Sequence, residues 1–188
     1  MPENVLKEKS MRRTSLTMAF CATTLLAAGS ADANVSGEMN VTLTLENGCI
    51  VTGSNDPLNA VDFGTLNFGT APTLFAVNLE AQAMISASQV QLECSAGTDL
   101  NILVGNGQNA AAGVRRLASS GNFVQYRLFT QAAGGGTEYV VGGGALDLSA
   151  AVPGGGGTFN LPIYGVIAPQ AALVAGNYSD VVSVTLTF

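Results

Sequence analysis

Few residues in this chain could do chemistry. The 188 residues include no histidine, and the lysines, Lys7 and Lys9, both precede Arg12. Without histidine there is no Ser-His or Cys-His nucleophile pair and no His-bearing metal site. Without lysine in the body of the chain, Schiff-base chemistry is excluded there as well. Carboxylate pairs such as Asp56 and Asp62 have the residue types for acid and base work. Ten acids scattered over the chain after Ala33 read instead as solvated turns, and no set supplies nucleophile, base and orienting group together. The chain is expected not to be an enzyme, with no catalytic, cofactor-binding or metal-binding residues and no cofactor. The glycine runs 134–136, 142–144 and 154–157 lack the lysine that a phosphate-binding loop requires, so they read as hairpin loops. What remains is sulfur: Cys21, Cys49 and Cys94.

The fate of the cysteines depends on the compartment. Lys7, Lys9, Arg12 and Arg13 precede an apolar run at 16–29, and Ala31-Asp32-Ala33 then gives small residues at the spacing of a cleavage site. This is the pattern of a secretory signal peptide over 1–33, cleaved near Ala33. The apolar run is too short for the ~20 residues of a membrane span. Cys21 leaves with the leader, and Cys49 and Cys94 remain in an oxidising compartment, where they are expected to form one disulfide. The exported chain keeps three arginines (Arg115, Arg116 and Arg127) against ten acids, a net of −7. A phosphate backbone would find little to hold, so nucleic acid is not an expected partner.

The elements that carry these residues read as strands. The chain is 47% hydrophobic and only 11% charged, with 23 glycines; the charged share is far below the roughly 25% of typical globular chains, so the protein must bury or pair most of itself. Short runs rich in Val, Thr, Leu and Ala, broken by turn residues, predict an all-β domain. Candidate strands cover 49–52, 61–69, 74–79, 85–94, 100–104, 122–130, 159–167 and 178–188, with Pro162 marking an edge or bulge. A weak helical period over 80–87 is the one exception.

The most regular alternation stands at the front of the exported chain. Over 35–46, Val35, Met39, Val41, Leu43 and Leu45 fall on one face of an extended chain. This stretch reads as a strand that belongs in a partner's sheet. Asn47-Gly48, a strong hairpin signal between alternating runs, leaves open the competing possibility that it folds back on its own neighbour. At the other end 178–188 alternates cleanly, and a strand of that quality wants neighbours on both sides.

Several features meet in one pattern: the leader, the alternating arm, Cys49, Phe63-Gly64, Cys94, Gly113-Val114-Arg115-Arg116-Leu117, Tyr126-Arg127-Leu128-Phe129, Tyr164-Gly165-Val166-Ile167, and the closing Gly176-Asn177-Tyr178-Ser179-Asp180-Val181-Val182-Ser183-Val184-Thr185-Leu186-Thr187-Phe188. The chain resembles spore coat protein U domains, a family that includes the pilins of archaic chaperone–usher systems, and is most similar to the main rod subunit of Csu-type pili. The resemblance covers essentially the whole exported chain, and the C-terminal G-x-Y-x-D-x-V-x-V-x-L-x-F run is its most specific part.

The resemblance implies an incomplete immunoglobulin-like β-sandwich over 49–188, preceded by a donor-strand arm at 34–48. It implies a surface pilus subunit that serves adhesion and biofilm formation. Its partners would be other copies of itself in a head-to-tail fibre, a periplasmic pilus chaperone, an outer-membrane usher, and minor and tip subunits. Val35, Met39, Val41, Leu43 and Leu45 would be the donor side chains, and Ile50, Val182, Val184, Leu186 and Phe188 would line the acceptor groove. The alternative is a secreted, self-complemented sandwich whose loops bind a surface or carbohydrate.

Overall fold

Alternating residues with glycine punctuation build strands throughout the computed structural model, which describes residues 35–52 and 61–188. The expected signal peptide at 1–33 lies outside the described residues, as do residues 53–60. The chain divides into two units, Met1–Thr42 and Leu43–Phe188. In the first, residues 35–42 are exposed and carry no strand. The second contains β1 (Cys49–Thr52), β2 (Thr65–Leu66), β3 (Leu79–Ile85), β4 (Ser88–Gln89), β5 (Gln91–Cys94), β6 (Asn101–Val104), β7 (Arg115–Ser119), β8 (Asn122–Phe129), β9 (Leu146–Asp147), β10 (Gly157–Asn160), β11 (Tyr164–Ile167) and β12 (Val184–Thr187). Two 3-10 turns at Ala132–Gly134 and Ser149–Ala151 are the only helical elements among the described residues.

The strands form three antiparallel sheets, ordered β1-β5-β10, β12-β6-β9 and β2-β3-β11-β8-β7, with β4 pairing β3 as well. Their inward residues share one core, in which Val90, Leu92, Leu100, Ile102 and Leu161 are almost fully buried. Strand β8 shows the rule most clearly: Val124, Tyr126 and Leu128 point inward while Phe123, Gln125 and Arg127 are exposed. The result is an all-β domain whose sheets share one core.

Several expectations need correction. Residues 80–87 are not helical. Leu79, Ala81, Ala83 and Ile85 face inward in β3, and Ser86 and Ala87, both at positive φ, make the two-residue turn into β4 expected of a tight hairpin. Alanine's helix preference is a weak prior that sheet pairing overrides. Residues 74–78 form no strand, and Leu74 and Val77 are exposed. The run at 159–167 is two strands in different sheets: β10 pairs β5, and β11 pairs β3 and β8. Pro162 stands between them, where the chain changes sheets and no backbone N–H is needed for a ladder.

The C-terminal run is also divided. Ser179 bridges Ala118 beside β7, and only β12 joins β6. Among the described residues β12 has β6 as its one ladder partner, and β1 has only β5. Each therefore presents a free edge.

Candidate functional site

Cys49 and Cys94 are Cα partners across β1 and β5, joined by a disulfide with an S–S distance of 2.00 Å. The bond ties the first residue of β1 to the last residue of β5. Just ahead of it, the Ser95 N–H donates to the Gly48 carbonyl at 2.9 Å, the Gly48 N–H donates to Ser95 Oγ at 2.9 Å, and Asn47 Nδ2 donates to the Gly97 carbonyl at 3.2 Å. These bonds continue the β1–β5 pairing back to Gly48. Gly48 has no positive φ, so Asn47-Gly48 does not make the tight hairpin turn its sequence suggests, because that turn needs positive φ at both central residues.

Beside the free edge of β12 lies a cleft of about 300 Å³. Aromatic and aliphatic side chains line it: Phe63, Leu66 and Phe68, Val182 and Val184 of the C-terminal run, and the buried Tyr126 and Leu128 of β8. At the far end of β12, Phe188 meets the start of β1: a Cβ built on Gly48 would stand 3.4 Å from the Phe188 ring. The side chains of 181–187 alternate strictly, with Val182, Val184 and Leu186 half-buried against the core and the residues between them exposed.

The cleft has one polar end. Asp180 Oδ2 accepts from the Tyr126 hydroxyl at 2.8 Å, and Oδ1 accepts from the backbone N–H of Gln108 and Asn109 and from Asn109 Nδ2 at 2.9, 3.2 and 3.0 Å. The Tyr126 ring meets Phe68 edge-on at 6.3 Å. Burial, then the bond to Asp180 and its charge, holds the Tyr126 phenol well above the ordinary tyrosine value. Nearby, the fully buried Arg115 gives its guanidinium to the carbonyls of Val104, Gly105 and Tyr139. Burial lowers its pKa, opposed by the charges of Tyr126, Glu138 and Asp180. Every polar donor there has a partner, as a buried charge requires.

The residues singled out in the sequence fall into three groups. Cys49 and Cys94 meet. Val35, Met39, Val41, Leu43 and Leu45 are between 80% and 97% exposed, and no strand is assigned over 35–48. Of the acceptor candidates, Val182, Val184 and Leu186 face the core along β12 and its lead-in, Phe188 is exposed at its end, and Ile50 lies on the outward face of β1, half exposed. Ile50 stands beside Glu93 on β5, away from the inward-facing Val51. The aromatic residues Phe63, Phe68 and Tyr126 and the carboxylate of Asp180 line the cleft without having been singled out as groove residues. The aromatic alternation at 63–68 is visible in the sequence, but its meeting with 182–184 in one cleft joins residues more than a hundred positions apart.

Among the described residues, no group of three or more His, Cys, Asp or Glu gathers as a metal site. None of the curated proteins matches this chain. Similar solved structures include the CsuC-CsuE chaperone–tip adhesion subunit pre-assembly complex from archaic chaperone-usher Csu pili of Acinetobacter baumannii, at 19% identity and TM-score 0.45, covering 77% of this chain and 40% of that one. The P pilus rod subunit PapA is similar at 17% identity and TM-score 0.44, covering 74% of this chain and 97% of that one. The model of the Spore Coat Protein U domain matches residues 35–185. Since that match takes in most of the chain, the protein belongs to the Spore Coat Protein U domain family.

Proposed function

We propose that this chain is a structural subunit of a surface pilus, exported by a chaperone–usher route and polymerised by donor-strand exchange through its N-terminal arm. In this reading the arm of one copy, with Val35, Met39, Val41, Leu43 and Leu45, enters the cleft beside β12 of the next and completes its sandwich. The pilus then supports adhesion and biofilm formation. The observation that carries the reading is a mismatch. Five apolar residues in strand alternation stand exposed without a strand, in a chain whose sandwich has an apolar cleft beside an unpaired strand edge.

The energetics favour such an exchange. Burying five arm side chains at about 1.5–3 kcal/mol each gives on the order of 8–15 kcal/mol before ordering costs, an upper figure. Main-chain bonds to the edge add register, as in other cases of strand addition. An unfilled cleft beside a free edge is an aggregation hazard, which is the physical reason for a periplasmic chaperone before hand-over to an outer-membrane usher. Minor and tip subunits of the same pilus would use the same joint.

Deletion of residues 34–46 tests the reading. Chaperone-free assembly of the exported chain should give long polymers, and the deletion variant should give none. Long polymers from the deletion variant would overturn it. A full-length chain that stays a stable, soluble monomer without a chaperone would instead favour the self-complemented binding module.

A further inference from the structure

The side of the cleft that would receive a donor strand is not held by sheet pairing alone. At Ser179 the C-terminal run exchanges both backbone bonds with Ala118 of β7, at 2.9 and 3.1 Å. Two residues later the Val181 carbonyl accepts from the Gln108 N–H at 3.1 Å, and the Ser183 carbonyl accepts from Gly105 at 2.8 Å. The backbone therefore crosses from one sheet to another at residue 180, and a crossing step has no ladder of its own to fix it.

The Asp180 side chain supplies what the ladder lacks. Its carboxylate takes four hydrogen bonds, three from the 108–109 segment and one from Tyr126 on β8. Bonds to a charged acceptor are among the stronger ones in proteins. The neighbouring chain is shaped to admit it: Gly107 has φ +82°, and a Cβ there would stand 2.2 Å from Asp180 Oδ2, so no other residue fits without displacing the carboxylate. Tyr126 also lines the cleft, with its ring edge-on to Phe68. One carboxylate thus links the β6–β7 loop, Tyr126 of β8 and the crossing point just before Val182 and Val184.

Resting on the donor-strand reading above, we infer that Asp180 is the positioning residue of the acceptor cleft. It holds 181–184 so that Val182 and Val184 face inward and their outer backbone edge is ready to pair with an incoming strand. Its carboxylate is already engaged in four hydrogen bonds, so it acts through the segment it holds. Without it, the lead-in to β12 can shift on its partners, and a donor strand must first order the edge it pairs with.

The test uses the full exported chain, residues 34–188, carrying Val41→Asp and Leu43→Asp so that its own arm does not polymerise it. A fluorescent peptide of residues 34–46 with the natural sequence is the probe, and its association rate is the readout. Asp180→Ala should slow uptake about tenfold and Tyr126→Phe about threefold, with Asp180→Asn between them because one oxygen still accepts. A residue that only stabilises the fold would lower the melting temperature and leave the association rate unchanged, so an unchanged rate in Asp180→Ala overturns the inference. If Asp180→Ala does not fold, an unchanged rate in Tyr126→Phe overturns it in the same way. If the parent chain takes up no peptide at all, the donor-strand reading falls and takes this inference with it.

Discussion

Two stretches of this chain have nearly the same sequence pattern and opposite structural outcomes. Residues 35–46 and 178–188 both alternate apolar and polar side chains. The first carries no strand, with its apolar face exposed; the second supplies β12, with Val184 and Leu186 half-buried against the core. Alternation states that a segment can be a strand. Whether it is one depends on finding an edge to pair with, and β6 supplies that edge for β12. On the proposed donor-strand reading, the contrast makes the unpaired alternating segment and the unfilled cleft two halves of one joint.

Charge placed on each stretch should separate the two most sharply. Val41→Asp with Leu43→Asp should abolish polymer formation while shifting monomer stability by less than about 0.5 kcal/mol, as expected for exposed positions. Val184→Asp should destabilise the monomer itself by about 2–3 kcal/mol, because a carboxylate would be forced against the core. Denaturant unfolding and sedimentation of the same samples measure both effects. Equal loss of monomer stability in the two variants would break the comparison.

The disulfide belongs wholly to the folded side of that contrast. It closes a separation of 45 residues, and replacing Cys49 and Cys94 with alanine should cost about 4 kcal/mol by the chain-entropy estimate. Hydrogen exchange over 35–46 in the monomer should not change, which sharpens the view that the arm draws nothing from the sandwich's own stability.

A smaller effect, read by pH, concerns the cleft's polar end. Burial and the Asp180 carboxylate keep Tyr126 protonated beyond the ordinary value of 10.0, and burial does the same for Tyr139. The folded state therefore keeps protons that the unfolded state releases. The resulting stability is complete below pH ~10 and is lost as pH rises through the raised values. Tyr126→Phe should cost about 2 kcal/mol near neutrality, from one bond to a charged acceptor, and should flatten the alkaline decline. An unchanged alkaline slope would show that burial and Asp180 do not hold Tyr126 protonated in solution.

The fold class was legible because glycine punctuation and alternation are local signals, and β8 lies within the stretch expected at 122–130. The disulfide was legible because only two cysteines follow the leader. The reading failed where a local signal meets a long-range competitor. The weak helical period at 80–87 gives way because β2 and β11 pair with β3 from both sides. Pro162 flagged an interruption but could not show that the chain changes sheets there. The cleft was half legible: Val182 and Val184 announce themselves by period, whereas Phe63, Phe68 and Tyr126 join them only through tertiary packing. Asp180 stood within the C-terminal G-x-Y-x-D-x-V run, but its bonds to 108–109 and Tyr126 form only through tertiary packing. Ile50 alternates as a groove residue should, but the register of β1 turns it outward and Val51 inward.

The central claim is that the arm becomes a strand only in another copy's cleft. Hydrogen exchange of backbone amides over 35–46, measured on dilute monomer and on polymer of the same chain, tests it most directly. Rapid exchange is expected throughout this stretch in the monomer and strong protection in the polymer, accompanied by new protection at 181–187 on the previously free edge. Polymer whose arm amides exchange as fast as those of the monomer would contradict it.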